Sequence, residues 1–202
     1  MQTQLLSASD SAISLALQIL RGGGLVAFPT DTIYGVGSLA FDQAAIESIY
    51  IAKDRPLEKA IPILIGEVSD LEKIARDIPP LALRLAARCW PGPLTIVLPK
   101  HPRLPAAVSS TATVGVRVPD HPVARHLLRA AGPLAVTSAN LSGRENPRSA
   151  LEVMSQLQGR IPLVVDGGET PGGVASTVVD ISGAEPVILR AGPITLDEIK
   201  SI

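Results

Sequence analysis

The residues best suited to chemistry in this 202-residue chain are cations and hydroxyls that lie near the ends of predicted strands and of one predicted helix, or within a strand. Arginine can hold a carboxylate or phosphate group through two hydrogen bonds, and lysine supplies a compact positive charge. The set predicts a site for several phosphates together with one carboxylate. It contains five cations and four hydroxyl or amide side chains: Lys53, Arg55, Lys59, Arg117, Arg190, Thr32, Ser138, Asn140 and Ser176.

Most of these residues also have a purely structural interpretation. Lys53 and Arg55 come at the end of a predicted helix, where positive charge stabilises the helix dipole. Ser138 and Asn140 are typical turn residues, and Thr30 could cap a following helix. Each residue taken alone therefore leaves the structural and the functional interpretation open.

Arg117 is harder to explain as a surface residue. It lies between Val116 and Val118 in a predicted strand, where a buried charge needs a partner. That partner is either an anionic ligand or an internal carboxylate such as Asp31 or Asp120. The two possibilities predict different effects of replacing Arg117, on substrate use in one case and on folding stability in the other.

Several kinds of site are absent from the sequence. The three histidines, His101, His121 and His126, form no H-E-x-x-H motif or other ligand cluster, so no protein-bound metal is expected. The chain has no G-x-x-x-x-G-K-[ST] segment, so an ATP site here is not a P-loop. Cys89 is the only cysteine, which excludes an internal disulfide.

The net charge and the distribution of apolar residues exclude further classes of protein. The net charge of −1 argues against strong, sequence-independent binding to nucleic acid. No apolar run is long enough to span a membrane, and the N-terminal segment lacks the basic start and apolar centre of a signal peptide. We therefore expect a cytoplasmic protein that binds no membrane.

The elements that must position these residues alternate along the chain. Strands are predicted over residues 25–28, 61–65, 94–98, 114–118, 134–137, 161–165, 176–181 and 186–189. Helices are predicted over 10–21, 42–52 and 79–90, with further helices that begin at capping boxes near Ser69, Ser149 and Thr195. This alternation predicts an α/β fold in one domain, residues 1–202, and the short gap near 180–186 predicts some antiparallel pairing.

Six segments followed by ILRAG identify a family resemblance. In order, they are PTDTIYGVG, KDRPLEKAIPILI, WPGPLTIVL, VGVRVPDHP, TSANLSG and STVVDI. Together they closely resemble the YrdC-like family of L-threonylcarbamoyladenylate synthases, over about residues 10–200. The resemblance implies an open, twisted, mixed parallel and antiparallel sheet, flanked by helices, with a concave central cleft. It is to the short, single-domain form, without the second C-terminal domain of longer members.

The resemblance also implies a reaction. Family members are nucleotidyltransferases that condense L-threonine, bicarbonate and ATP into L-threonylcarbamoyl-AMP and pyrophosphate. The product serves N6-threonylcarbamoyladenosine formation at position 37 of tRNAs that read codons beginning with A. The implied partners are the three substrates, Mg²⁺ carried by ATP, and downstream threonylcarbamoyl transferase proteins.

The family's functional residues can be carried over to matching positions. By this resemblance, the family's L-threonine pocket corresponds to Thr32, Arg117, Val136 and Ser176. The family's ATP-binding residues correspond to Arg55, Lys59, Thr113, Ser138, Asn146 and Arg190. The family's basic and polar tetrad, which we take as the catalytic set, matches Lys53, Arg55, Ser138 and Asn140. Some members carry Asn in place of Lys59 and His in place of Leu64.

Two other functions are compatible with the same resemblance. The first is a binding module for double-stranded RNA or tRNA, or for ribosome maturation, which would use a concave basic surface. The second is a paralogue of the same fold without this activity. Pyrophosphate release that depends on threonine distinguishes the enzyme from both, and an enzyme could still make a weak contact with tRNA or double-stranded RNA.

Overall fold

A computed structural model describes residues 2–171, 174–183 and 185–202. Its strands are β1 (Gln4–Ser7), β2 (Val26–Phe28), β3 (Gly35–Leu39), β4 (Ile63–Leu64), β5 (Leu94–Pro99), β6 (Thr113–Arg117), β7 (Leu134–Ser138), β8 (Leu163–Asp166), β9 (Thr177–Asp180) and β10 (Val187–Arg190). Its helices are α1 (Asp10–Arg21), α2 (Gln43–Lys53), α3 (Leu71–Ile74), α4 (Pro80–Cys89), α5 (Pro122–Ala131), α6 (Ala150–Leu157) and α7 (Leu196–Lys200).

The described strands form one sheet, in the order β1-β8-β2-β3-β7-β4-β6-β5-β9-β10. The sheet contains both parallel pairs, such as β5–β9, and antiparallel pairs, such as β3–β7 and β5–β6. The prediction of a mixed α/β sheet is confirmed, and so is antiparallel pairing across the short gap between β9 and β10.

Side chains on opposite faces of the sheet belong to two separate cores. In β4, Ile63 packs into the larger core and Leu64 into the smaller one. In β7, Ala135 belongs to the larger core, and Leu134 and Val136 belong to the smaller one. This alternation follows from the two-residue period of a strand. Helices α1 and α5 cover the smaller core, while α2, α4 and α6 pack on the larger one.

Strand β3 was absent from the sequence prediction. Its segment GVGSL has two glycines, which disfavour strands on propensity alone. The glycines are required by close approach to β7, because a Cβ atom at Gly37 would lie 2.6 Å from the main-chain oxygen of Ala135. A Cβ atom at Gly35 would lie 2.7 Å from Val136 Cγ1. The short edge strand β1 was also missed, because most of its residues are exposed and show no alternation.

The predicted helix caps had different outcomes. Thr195 forms a complete capping box with Glu198 at the start of α7. Ser149 caps α6 by accepting from the Glu152 amide, although the Glu152 carboxylate accepts from another amide instead. The capping box at Ser69 was wrong, because Ser69 lies inside a short 3-10 helix that precedes α3. In the described part of the chain, no helix is long and apolar enough to cross a membrane.

Candidate functional site

A cleft of about 610 Å³ lies on the face of the sheet that α1 and α5 cover only in part. Leu64 and Val136 belong both to the smaller core and to the cleft wall. The floor is formed by alternate residues of four strands. They are Thr95 and Val97 of β5; Thr113, Gly115 and Arg117 of β6; Val136 and Ser138 of β7; and Val178 and Asp180 of β9. The cleft therefore runs across a sheet face, rather than only along the ends of strands.

Most residues that the resemblance assigns to the site line this cleft. They are Thr32, Arg55, Thr113, Arg117, Val136, Ser138, Asn146, Ser176 and Arg190. Three assigned residues do not line it: Lys53, Lys59 and Asn140. Elements far apart in sequence converge here because β5, β6, β4 and β7 are neighbours in the sheet.

Arg117 is held at the end of β6 by three protein groups. Its Nε donates to the main-chain oxygen of Gly92 at 2.9 Å, and Nη1 donates to Thr32 Oγ1 at 3.1 Å. Nη2 forms an ion pair with Asp31 at 2.5 Å, so the internal salt bridge considered from the sequence is present. An arginine side chain has five N–H groups. Among the described residues these three contacts leave one N–H on each terminal nitrogen, which matches a carboxylate.

Arg55 and Arg190 are held differently, by neutral oxygen atoms. Arg55 donates from Nη2 to the main-chain oxygen of Ala60 at 2.8 Å. Arg190 donates from Nη2 to the main-chain oxygen of Ser176 at 2.8 Å and to its Oγ at 2.9 Å. Burial lowers the pKa of the Arg190 guanidinium, and the positive charges of Arg117 and Arg55 lower it further. The cleft therefore concentrates positive charge that an anionic ligand would stabilise.

Lys53, the last residue of α2, lies behind the cleft wall. Its ammonium nitrogen donates to the main-chain oxygens of Ser138 and Asn140, the former at 2.5 Å. A third acceptor, Asn140 Oδ1, lies 3.4 Å away. The Asn140 amide in turn donates to the main-chain oxygens of Leu141 and Arg144, each at 2.8 Å. Lys53 and Asn140 thus fix the loop after β7, from which Ser138 enters the cleft.

Burial has the largest effect on the pKa of the Lys53 side chain. It lowers the pKa of Lys53 from 10.5 to about 7, and the nearby charge of Arg55 acts in the same direction. Lys59 is different, since its side chain is exposed and only its main-chain oxygen takes part in the site, by accepting from Arg55 Nε at 3.2 Å. The expected ATP contact of the Lys59 side chain stays a prediction.

Val136 presents its side chain to the cleft, and its amide is already bonded. The N–H group donates to the main-chain oxygen of Pro62 at 2.9 Å, which joins β7 to the segment before β4. The Val136 amide could bind a ligand only if its hydrogen bond to Pro62 were broken. The side chain remains available as an apolar wall.

Several polar residues of the cleft escaped the sequence analysis, among them Thr95 and Asp180. Thr95 is buried, and its hydroxyl lies 2.8 Å from Ser176 Oγ, which Arg190 also contacts. The sequence signal that could have identified Thr95 is its position as the single polar residue in the apolar segment LTIVL. Arg117 is recognisable in the same way, as the single charged residue of its strand. Asp180 is the one carboxylate among the described residues that line the cleft, and it accepts hydrogen bonds from Ser182.

Within residues 2–171, 174–183 and 185–202, no group of three or more His, Cys, Asp or Glu side chains is arranged to hold a metal ion. A single carboxylate, such as Asp180, together with phosphate oxygens is a common arrangement for Mg²⁺ bound to a nucleotide. The polar groups present are thus compatible with a metal that enters on a nucleotide.

Comparison with known proteins places this geometry in a family. A family model described as Sua5_yciO_yrdC: Telomere recombination matches residues 18–192. The threonylcarbamoyl-AMP synthase of Pyrococcus abyssi is 44% identical over 192 residues, which are 94% of this chain and 56% of that protein. The threonylcarbamoyl-AMP synthase of Bacillus subtilis is 42% identical over 203 residues, 99% of this chain and 59% of that protein. The chain thus spans somewhat more than half the length of these relatives.

Solved structures agree with the sequence relatives. The crystal structure of P. abyssi Sua5 complexed with L-threonine superimposes with a TM-score of 0.96 at 41% identity, covering 98% of this chain and 60% of that one. E. coli YciO superimposes with a TM-score of 0.88 at 28% identity, covering 98% of this chain and 99% of that one. The fold, the match across most of the chain and the shared motifs lead to one conclusion: the chain belongs to the Sua5/YciO/YrdC family.

Proposed function

We propose that this chain catalyses the condensation of L-threonine, bicarbonate and ATP to L-threonylcarbamoyl-AMP and pyrophosphate. The observation that carries the proposal is the cleft in which three arginines, Arg55, Arg117 and Arg190, face a common space. One of them retains two N–H groups suited to a carboxylate, and the other two suit phosphates. Two relatives named threonylcarbamoyl-AMP synthase are 44% and 42% identical to the chain over the matched residues, which are 56% and 59% of their own lengths.

The amino-acid half of the site is proposed around Arg117. Its two remaining N–H groups donate to the threonine carboxylate, and Thr32 and Ser176 supply hydroxyls at the same end of the cleft. Val136 and Leu64 provide apolar surface against the threonine methyl group. A crystal structure of P. abyssi Sua5 complexed with L-threonine supports this choice of ligand.

The nucleotide half is proposed around Arg55 and Arg190. Both guanidinium groups are fixed by main-chain oxygens, so little conformational entropy is lost when a triphosphate binds. Thr113, Ser138 and Asn146 line the same cleft and supply hydrogen-bonding groups. Mg²⁺ enters as the Mg·ATP complex and neutralises part of the phosphate charge.

The reaction then needs positioning more than acid–base catalysis. The free amine of threonine and bicarbonate give a carbamate and water, so a new N–C bond forms. A carbamate oxygen attacks the α-phosphorus of ATP, and the bond from that phosphorus to the β-phosphate oxygen breaks as pyrophosphate leaves. The fixed arginines stabilise negative charge during this transfer. Lys53 and Asn140 act indirectly, by holding the loop that carries Ser138.

The product carries a reactive mixed anhydride, and therefore has to be used by a second enzyme. A threonylcarbamoyl transferase that acts on tRNA position 37 in the cytoplasm is the consumer we propose. Tight RNA binding by this chain is not needed for such a transfer, and its net charge of −1 does not favour it.

Isotope incorporation tests the proposed product. The chain is incubated with Mg·ATP, L-threonine and ¹³C-bicarbonate, and the mixture is examined by mass spectrometry. The proposal predicts a species that contains AMP, threonine and one labelled carbon. Formation of ADP or AMP without a labelled threonine adduct contradicts it, and would favour a paralogue with another reaction.

A further inference from the structure

The three arginines of the cleft differ in how their charge is balanced. Arg117 forms an ion pair with the carboxylate of Asp31 at 2.5 Å. Arg55 and Arg190 donate only to neutral oxygen atoms, and neither has a carboxylate partner within the described residues. The cleft therefore contains one neutralised arginine and two that retain their full charge.

Asp31 balances Arg117 without taking up space in the cleft. Thr30 and Thr32 on either side of it line the cleft, and Asp31 does not belong to that lining among the described residues. Its Oδ1 atom also accepts from the Asp120 amide at 2.9 Å, which holds the carboxylate behind the guanidinium. The side chains of Arg117 and Asp31 are only 6% and 13% exposed, so solvent screens their interaction weakly.

A fixed negative charge behind Arg117 affects different anions to different degrees. A carboxylate carries one negative charge, whereas phosphate groups of ATP or pyrophosphate bring more charge to the same place. Both can accept two hydrogen bonds from the guanidinium, but repulsion by Asp31 grows with the charge of the ligand. Asp31 therefore weakens phosphate binding at Arg117 more than carboxylate binding.

We propose that Asp31 is a specificity-determining residue that keeps phosphate groups off Arg117 and reserves this arginine for the carboxylate of the amino acid. The inference rests on the proposed function, since it divides one cleft between an amino acid and a triphosphate. Without this division, ATP or the pyrophosphate product could occupy the amino-acid position. The opposite arrangement at Arg55 and Arg190, with neutral partners only, leaves those two arginines for the phosphates.

Calorimetric titration with inorganic phosphate tests the role of Asp31 without any turnover. Asp31→Asn removes the charge and retains an oxygen that can accept from Arg117. We expect this variant to bind phosphate about tenfold more tightly than the wild-type chain. Adding Arg117→Met to Asp31→Asn should remove the gain. Asp180→Asn is the matched control, because it takes the same charge from the cleft wall without touching Arg117, and it should show no Arg117-dependent gain.

The phosphate titrations overturn the inference if they show unchanged phosphate affinity in Asp31→Asn, a gain that persists in the double variant, or an equal gain in Asp180→Asn that depends on Arg117. Asp31→Ser provides a second neutral variant if Asp31→Asn unfolds. In the wild-type chain, the Kd for L-threonine should stay constant as phosphate is raised, and a proportional increase contradicts the inference. Phosphate affinity is measured without ATP or threonine. If the chain releases no pyrophosphate, the proposed function is therefore wrong, while the phosphate titration still tests the role of Asp31.

Discussion

The ammonium group of Lys53 lies 2.5 Å from the main-chain oxygen of Ser138, and so joins the end of α2 to the end of β7. In the charged form of Lys53, the two main-chain oxygens and the Asn140 side-chain oxygen accept from it, which accounts for all three N–H groups of the ammonium. A lysine whose donors are all used by the protein is a positioning residue. Its effect on a ligand passes through Ser138.

Replacing Lys53 should therefore disturb both the fold and the cleft. In Lys53→Met, the oxygens of Ser138 and Asn140 lose their donor while they remain buried. We expect the free energy of unfolding to fall by about 2 kcal/mol and kcat/KM to fall at least about tenfold. Urea denaturation and pyrophosphate release measure the two effects. Lys59→Met, which alters an exposed lysine nearby, should retain wild-type stability.

Stability should depend on pH through Lys53. Its pKa is about 7 in the folded chain and 10.5 without burial, so between these values the unfolded state binds more protons. The free energy of unfolding of the wild-type chain, relative to Lys53→Met, should therefore rise from pH 7 towards pH 10. The slope is at most about 1.4 kcal/mol per pH unit. A difference that stays flat between pH 7 and pH 9 would contradict this assignment.

Arg117 should matter for both threonine use and stability. Arg117→Met is expected to weaken threonine use by about 2 to 5 kcal/mol, with a much smaller effect on ATP. It also leaves the largely buried Asp31 carboxylate without a cationic partner, so stability should fall. Adding Asp31→Asn should recover stability and leave threonine use impaired. Arg117→Lys should not restore threonine use fully, because an ammonium cannot donate through a planar fork.

The double variant separates the two roles of Arg117. Threonine KM, ATP KM and thermal unfolding are measured for Arg117→Met, with and without Asp31→Asn. A folded Arg117→Met chain with wild-type kcat and threonine KM would show that Arg117 has only a structural role.

Arg190 should act mainly on the nucleotide. Its guanidinium is held by the Ser176 main chain, and its side chain lies at the exposed edge of the sheet. We expect Arg190→Met to raise the KM for ATP at least about tenfold, with little change in the melting temperature. Arg88→Met is a control for the loss of one positive charge, since Arg88 is exposed on α4. Equal effects of the two substitutions on ATP would argue against a specific role for Arg190.

Periodicity and capping predicted most elements of the fold, and the failures have a physical cause. Strand β3 could not be recognised because its glycines are explained by the approach of β7, a neighbour about a hundred residues away in sequence. Ser69 has the spacing of a capping box, but a 3-10 turn replaces the helix start that would use it. The first error comes from a tertiary contact, which local sequence patterns do not contain.

The site was predicted through its charges and the family motifs. Arg117 was recognisable as a charge within an apolar strand, and its partner Asp31 was one of two candidates. Lys53 and Asn140 illustrate what a motif leaves out. Their types suit direct contact with a substrate, and only the packing of α2 against the loop after β7 shows that they lie behind the wall.

Pyrophosphate release is the most direct measurement of the central claim. The rate is measured with Mg·ATP alone, with threonine or bicarbonate added singly, and with both. The account predicts rapid release only when all three substrates are present, and its loss in Arg117→Met at moderate threonine concentrations. An identical rate with and without threonine and bicarbonate would contradict the account, because the cleft would then not join an amino acid to the nucleotide.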